Sequence, residues 1–178
     1  MAINIFCEQI IEVTIMKRVG AVINAMIEYY SGDIKRINHF MKVYGFAKAI
    51  GEMENLEETT QEILEVTAAV HDIGIKVSEE KYHSSAGHYQ QIEGPAVAEK
   101  MLTALGYEKE LIDRVCYLIA HHHTYSNMDG LDYQILVEAD FLVNLNEDKV
   151  SAEGIKKVKE NIFKTKTGLS FLNNCFGE

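Results

Sequence analysis

The chain has 178 residues, 47% of them hydrophobic and 25% charged, which is the size and makeup of one globular domain and excludes a disordered chain. Its formal net charge of −10 argues against nonspecific binding to DNA, RNA or an anionic membrane, since each needs a basic patch. No stretch approaches the ~20 apolar residues of a membrane span and the N-terminus lacks a signal-peptide pattern. Cys7, Cys116 and Cys175 form no CxxC pair, so a cytoplasmic, reducing setting is expected, without a disulfide framework or thiolate zinc site.

Proline occurs once and strict alternation of apolar and polar residues is rare, so the chain reads as all-α, a single compact bundle over residues 1–178. The first helical region runs from about Phe6 to Tyr30, with Gly20 as a point where it can break, and ends at the turn Ser31-Gly32-Asp33. The next helix, about Asp33 to Ile50, has one apolar stripe at Ile37, Phe40, Met41 and Tyr44. A second runs through His39, Val43, Phe46 and Ile50, which turns His39 inward.

A helix from Glu57 to Ile73 opens with acidic residues and is expected to close on Gly74 as its C′ glycine, with His71 and Asp72 in the last turn. Ile75 to Glu93 is polar and without a firm period, and reads as a long functional loop. Pro95 suits the first turn of a helix reaching Gly106. In the helix from about Glu108 to His123, the rows Leu111, Val115, Leu118 and Ile112, Ile119 converge on His122.

The helix from Asp132 to Leu145 carries an apolar run from Ile135 to Val143, interrupted only by Glu138 and Asp140. A C-terminal helix starts at Ser151 as N-cap, and Phe171, Leu172 and Phe176 are expected to fold back on the body. Lys156, Lys157, Lys159, Lys164 and Lys166 form the one basic cluster and read as a solvated helix face. Cys116, in an apolar stretch, reads as a small core residue.

His39, His71, Asp72 and Asp140 come from three helices and sit among apolar neighbours. Burying such groups without partners costs roughly 2–7 kcal/mol for a neutral group and more for a charge. A shared cation would satisfy all four, and imidazole nitrogens with carboxylate oxygens suit a transition metal better than Mg or Ca. A hydrogen-bonded His71–Asp72 pair capping its helix end is the competing structural reading.

The segment Ala68-Ala69-Val70-His71-Asp72-Ile73-Gly74, preceded by His39 and followed by Glu138-Ala139-Asp140, resembles the H…HD…D pattern of the HD-domain superfamily of metal-dependent phosphohydrolases. Gln91-Ile92-Glu93-Gly94-Pro95 and Ile119-Ala120-His121-His122-His123 extend the resemblance, which covers residues 33–145 and leaves the terminal helices as additions. It implies an HD-like helical bundle in which His39, His71, Asp72 and Asp140 hold a divalent metal (Mn, Fe, Co, Ni or Zn), with Asp72 able to bridge to a second ion. Two-metal relatives carry a further histidine four residues before the glycine matching Gly94. Gln90 stands there, which favours one ion, and His88 would reach only if its loop bends. His122 is the expected inward member of the histidine triple, assisted by His121.

The implied activity is hydrolysis of a phosphate ester or phosphoanhydride, with a nucleotide as the expected substrate, by a metal-activated water that Asp72 or Asp140 would orient. Arg36, Lys42 and Lys76 are candidates to hold the phosphate. Tyr82, Tyr89 and Tyr125 flank the histidine-rich segments and are candidates to stack on a base. With no GYP motif and no large basic groove, cyclic-di-GMP and alarmone substrates fit less well. Gln90 also suits a second reading, a metal- or ligand-binding regulatory module without catalysis. A third is a helical interaction protein whose His and Asp residues bond one another. The amphipathic terminal helices leave a homo-oligomer open.

Overall fold

A computed structural model describes residues 18–177. Helix α1 (residues 18–29) runs through Gly20 without a break; the earlier part of the expected first helix, with Cys7, lies outside the described residues. Then follow α2 (Ile34–Met53), α3 (Glu58–Val70), α4 (Ile75–Tyr82), α5 (Gly87–Ala104), α6 (Lys109–His121), α7 (Leu131–Glu147), α8 (Ala152–Asn161) and α9 (Lys166–Phe176). There is no strand among the described residues, and none of their helices is long and apolar enough to cross a membrane.

Helix starts follow capping chemistry. Asp33 accepts from the Arg36 N–H, Glu57 from Thr59 and Thr60, Ser151 from Gly154, and Thr165 from Gly168, which satisfies N–H groups that an isolated helix leaves bare. Gly32, at φ 90°, makes the turn that releases α1 into α2, a left-handed conformation suited to glycine.

Helix α3 is the axis of the molecule. Leu64 and Ala68 belong to a core shared with α2, α7, α8 and α9, while Val66, Ala69, Val70 and Ile73 belong to another shared with α1, α2, α5 and α6. Each fully buried Leu, Val or Ile contributes about 1.5–3 kcal/mol. A helix walled in on both sides delivers whatever ends it, here His71 and Asp72, to the centre of the fold. Leu172 is buried and Phe171 lies 6.2 Å from Phe46 between ring centroids, so the C-terminal residues do fold back. The lysines of α8 and its surroundings are exposed or half-exposed as a solvated face. Cys116 is half-buried and donates to the Pro95 carbonyl.

Three local expectations need correction. The polar stretch from Ile75 to Glu93 is not a long loop but α4 and the first turns of α5. Its helices bury little, Ser78 alone in α4, so they lack the apolar stripe that would betray them. Pro95 lies inside α5 rather than in its first turn; its missing N–H leaves the carbonyl four residues back without its usual helical donor. Gly74 is not a left-handed C′ glycine, since its φ is −72° and it caps the start of α4. Its lack of a side chain serves close approach, because a Cβ there would stand 2.7 Å from the Gln90 carbonyl oxygen and the Gly94 nitrogen. That contact seats α5 against the turn that follows Asp72.

Candidate metal centre

Four side-chain atoms meet at the inner end of α3. His39 Nε2 from α2 stands 3.3 Å from His71 Nε2, 3.4 Å from Asp140 Oδ1 and 3.9 Å from Asp72 Oδ2. His71 Nε2 is 3.7 Å from Asp72 Oδ2 and 3.6 Å from Asp140 Oδ1. Hydrogen bonds, one to the backbone and one to a side chain, orient both imidazoles in advance. His71 Nδ1 donates to the Ala68 carbonyl at 3.0 Å, and His39 Nδ1 to Glu147 Oε2 at 3.1 Å. With both Nδ1 protons so used, the two Nε2 lone pairs point at each other and at two carboxylates.

Such a set of acceptors fits a cation. Asp140 Oδ1 is fully enclosed and has no hydrogen-bond donor, an orphan that a metal ion would satisfy. Donors bound at ~2.0–2.2 Å in a tetrahedral shell lie roughly 3.3–3.6 Å apart, close to the spacings found here. Burial alone would push the Asp72 and Asp140 carboxyls up. The histidines beside them, His71 and His122 for Asp72, His39 and His71 for Asp140, hold both below the usual carboxylate range. Burial likewise pushes His39 down, yet Asp140, Asp72 and Glu147 outweigh it and bring it up to about 9. The pocket favours positive charge, whether proton or metal.

Asp72 has a second set of partners. Its Oδ1 lies 3.1 Å from His122 Nε2 and 3.8 Å from His123 Nε2, and these three residues also lie close enough together to share an ion. His122 Nδ1 is held by the Ile119 carbonyl at 2.9 Å.

His121 is not part of this set. Its Nδ1 bonds the Tyr117 carbonyl and its ring stacks on Tyr117. Helical rows favour His122 as the inward member, and the neighbour that joins it is His123, brought in by the turn beyond the end of α6 at His121. His88 is exposed and packs on Tyr89, away from the ligands.

A cavity of about 530 Å³ opens onto His39, Asp72, Gln90 and His123, with Lys35, Arg36, Asn144 and Asp148 among its walls. Of the three basic candidates, Arg36 alone lines it, tied to Asp33 at 3.0 Å and Glu79 at 2.5 Å. Lys42 turns to Glu147 at 2.9 Å, and Lys76 lies over the Tyr29 ring and donates to the Tyr29 carbonyl. Lys35, which sequence reasoning passed over, lines the cavity and has no carboxylate partner among the described residues. Tyr82 and Tyr89 stack on each other at 4.1 Å and Tyr125 packs on Phe141; none of the three lines the cavity.

Glu147 also escaped sequence reasoning, although it lies seven residues after Asp140 and so on the same face of α7. Two residues before Asp140, Glu138 is buried and turned the other way along α7. That buried carboxylate accepts from Gln134 Nε2 at 2.7 Å and from the Lys164 and Thr165 N–H groups at 2.6 and 2.9 Å, which binds α7 to the start of α9.

Residues 36–159 match the HD domain as a protein family. This chain belongs to the HD-domain family. The match runs past Leu145 into α8, further than the sequence resemblance reached. Among solved structures, this HD-domain protein is similar to a predicted HD superfamily hydrolase from an uncultured Thermotogales bacterium. The two are 21% identical with a TM-score of 0.64, over 88% of this chain and 83% of that one, which supports the shared fold. No functionally curated protein matches significantly. HD domains bind divalent metals and the family is one of metal-dependent hydrolases, and the clustered His and Asp residues are groups that could hold such an ion.

Proposed function

We propose that this HD-domain protein is a phosphohydrolase that takes a small phosphate ester or phosphoanhydride, with a nucleotide as the favoured substrate, into the cavity beside His39, Asp72 and His123. The observation that carries the reading is that His39 Nε2 and His71 Nε2, 3.3 Å apart, each have Asp72 Oδ2 and Asp140 Oδ1 within 3.9 Å, beside an open cavity. A purely structural His–Asp cluster needs no access to solvent. The cavity volume falls in the range of small-molecule sites.

When bound, a divalent cation would supply acidification of a water and neutralisation of phosphoryl charge. His39 and His71 would hold it through nitrogens whose direction Glu147 and the Ala68 carbonyl decide. Asp72 and Asp140, kept ionised by the neighbouring histidines, would bind it and accept a hydrogen bond from the attacking water. Lys35 on the rim adds positive charge for the phosphate, against an overall charge of −10 that would otherwise repel it; the Arg36 charge is already met by Asp33 and Glu79.

A panel of nucleotides and simple phosphate esters, assayed with Mn, Fe, Co, Ni or Zn, tests this. Wild type should hydrolyse at least one, and Asp72→Ala should lose nearly all of that rate. Equal rates for the two proteins would show that this centre is not catalytic. Stable metal binding without turnover of any phosphate compound would favour the regulatory reading.

A further inference from the structure

Helices α2 and α7, which supply His39 and Asp140 to the centre, also wall a second cavity of about 240 Å³ that shares no lining residue with the first. Phe46 of α2, Leu142 and Val143 of α7 and Phe176 at the end of α9 make it mostly apolar, and Asn146 and Lys42 are its polar members. The volume lies below the ~300–1,000 Å³ of drug-sized sites, so its occupant is small. Lys42 is the one charged residue among the described lining residues. Apolar walls beside a single cation match a molecule with a short apolar body and an anionic head, whereas a cationic or wholly polar molecule finds no partner there.

Lys42 also belongs to the metal centre's surroundings. Its Nζ donates to Glu147 Oε1 at 2.9 Å, and the other oxygen of that carboxylate accepts from His39 Nδ1 at 3.1 Å. The Lys42 side chain is 51% exposed, and an ion pair so open to water is weak and exchangeable. A flexible stem lets the ammonium turn from Glu147 to an anion in the cavity. Released from Lys42, the carboxylate is a stronger acceptor for the His39 Nδ1 proton and makes Nε2 the better donor to a cation. The incoming negative charge acts in the same direction.

We infer that this second cavity binds a small amphiphilic anion, an organic carboxylate with a short apolar body, and that Lys42, in turning to its head group, couples the cavity through Glu147 to His39, so that the anion tightens the cation at the centre. The coupling to a cation rests on the metal reading above; binding of the anion stands apart from it. Coupling is reciprocal, so a bound cation tightens the anion by the same factor. Because the pair that switches is half-exposed, the factor belongs at the low end of the usual range, about five-fold.

Octanoate is the probe, with octanol and octylamine as its neutral and cationic counterparts, on untagged full-length protein. In the metal-stripped protein octanoate should shift the Leu142 and Val143 methyl signals saturably in NMR, and the His39 ring signals with them, and should bind more tightly than octanol or octylamine. With octanoate at saturation, calorimetry should read Mn(II) binding about five-fold tighter, and Mn(II) at saturation should tighten octanoate equally. Lys42→Met keeps the apolar stem; it should erase both the preference for octanoate over octanol and the response of Mn(II) affinity. A response that survives in Lys42→Met would mean that octanoate ligates the ion directly, and would overturn the coupling.

No saturable shift at Leu142 and Val143, or octanol bound as tightly as octanoate, would overturn the inference and leave the metal reading intact. Octanoate binding that moves neither the His39 ring nor the Mn(II) affinity would overturn the coupling. If no Mn(II) binds at all, the metal reading ends and the His39 signals alone decide whether cavity and ring are linked. If Lys42→Met fails to fold, Lys42→Gln takes its place, and an undiminished preference for octanoate there overturns the inference. A dimer in sedimentation that octanoate leaves intact and Phe176→Asp dissociates would assign the cavity to a second copy of the chain, and so overturn it too.

Discussion

The Nε2 atoms of His39 and His71 stand 3.3 Å apart although each ring has already given its Nδ1 proton to another acceptor. Two lone pairs facing each other beside two carboxylates repel unless a cation or extra protons intervene. In the metal-free fold protons answer that demand, since His39 is held up to about 9, and a bound cation takes their place and stabilises the fold by mass action. With free Mn(II) at ~1,000 times its dissociation constant the gain is about 4 kcal/mol. Scanning calorimetry should show a lower Tm after chelation and its recovery when metal returns; a Tm indifferent to both would sink the cation reading.

Glu147 holds His39 by its Nδ1 and is itself held by Lys42 at 2.9 Å. Glu147→Gln should weaken metal binding about 10–100-fold, as for other carboxylates that orient a ligating histidine, with the helical circular dichroism unchanged. Lys42 is half-exposed, so Lys42→Ala should change stability by no more than about 1 kcal/mol. Competition with a chromophoric chelator separates the two.

The histidine turn after α6 is pinned by Tyr133, whose hydroxyl donates to the His121 and Thr124 carbonyls. Tyr133→Phe leaves two inner carbonyls short of a donor and should cost about 1–3 kcal/mol. Because the same bonds hold the turn that carries His122 and His123 beside Asp72, the variant should also weaken metal binding. Urea unfolding and metal titration read the two effects separately.

In the metal-free protein His39 is held at about 9 against 6.5 in a free chain. A group raised on folding contributes stability that is fully present below pH 6.5 and is lost as pH rises through 9. Urea midpoints of the stripped protein should therefore fall across that window, and metal affinity should rise across it because the ion no longer has to displace a proton. A flat profile in both would show that His39 is not protonated there.

Much of the site is legible in the chain because helical spacing alone places it. His39 and Asp140 interrupt apolar stripes, and His71-Asp72 ends a helix with no solvent face, so their inward direction follows from 3.6-residue periodicity. The same periodicity misleads where a helix stops. His121, the last residue of α6, bonds the Tyr117 carbonyl, while the turn beyond brings His123 beside Asp72, and the polar faces of α4 and α5 carry no stripe to mark them.

Glu138 and Asp140 look alike in sequence, two acids inside one apolar run. The fold gives the first to backbone N–H groups at the start of α9 and the second to the histidine cluster. By itself the sequence determined an all-helical bundle and four inward polar residues, since both follow from local periodicity and the cost of burying charge. Only the tertiary structure decided which partners those residues meet and that Asp72 faces two donor sets. Those outcomes depend on contacts between segments far apart in the chain, which no local pattern records.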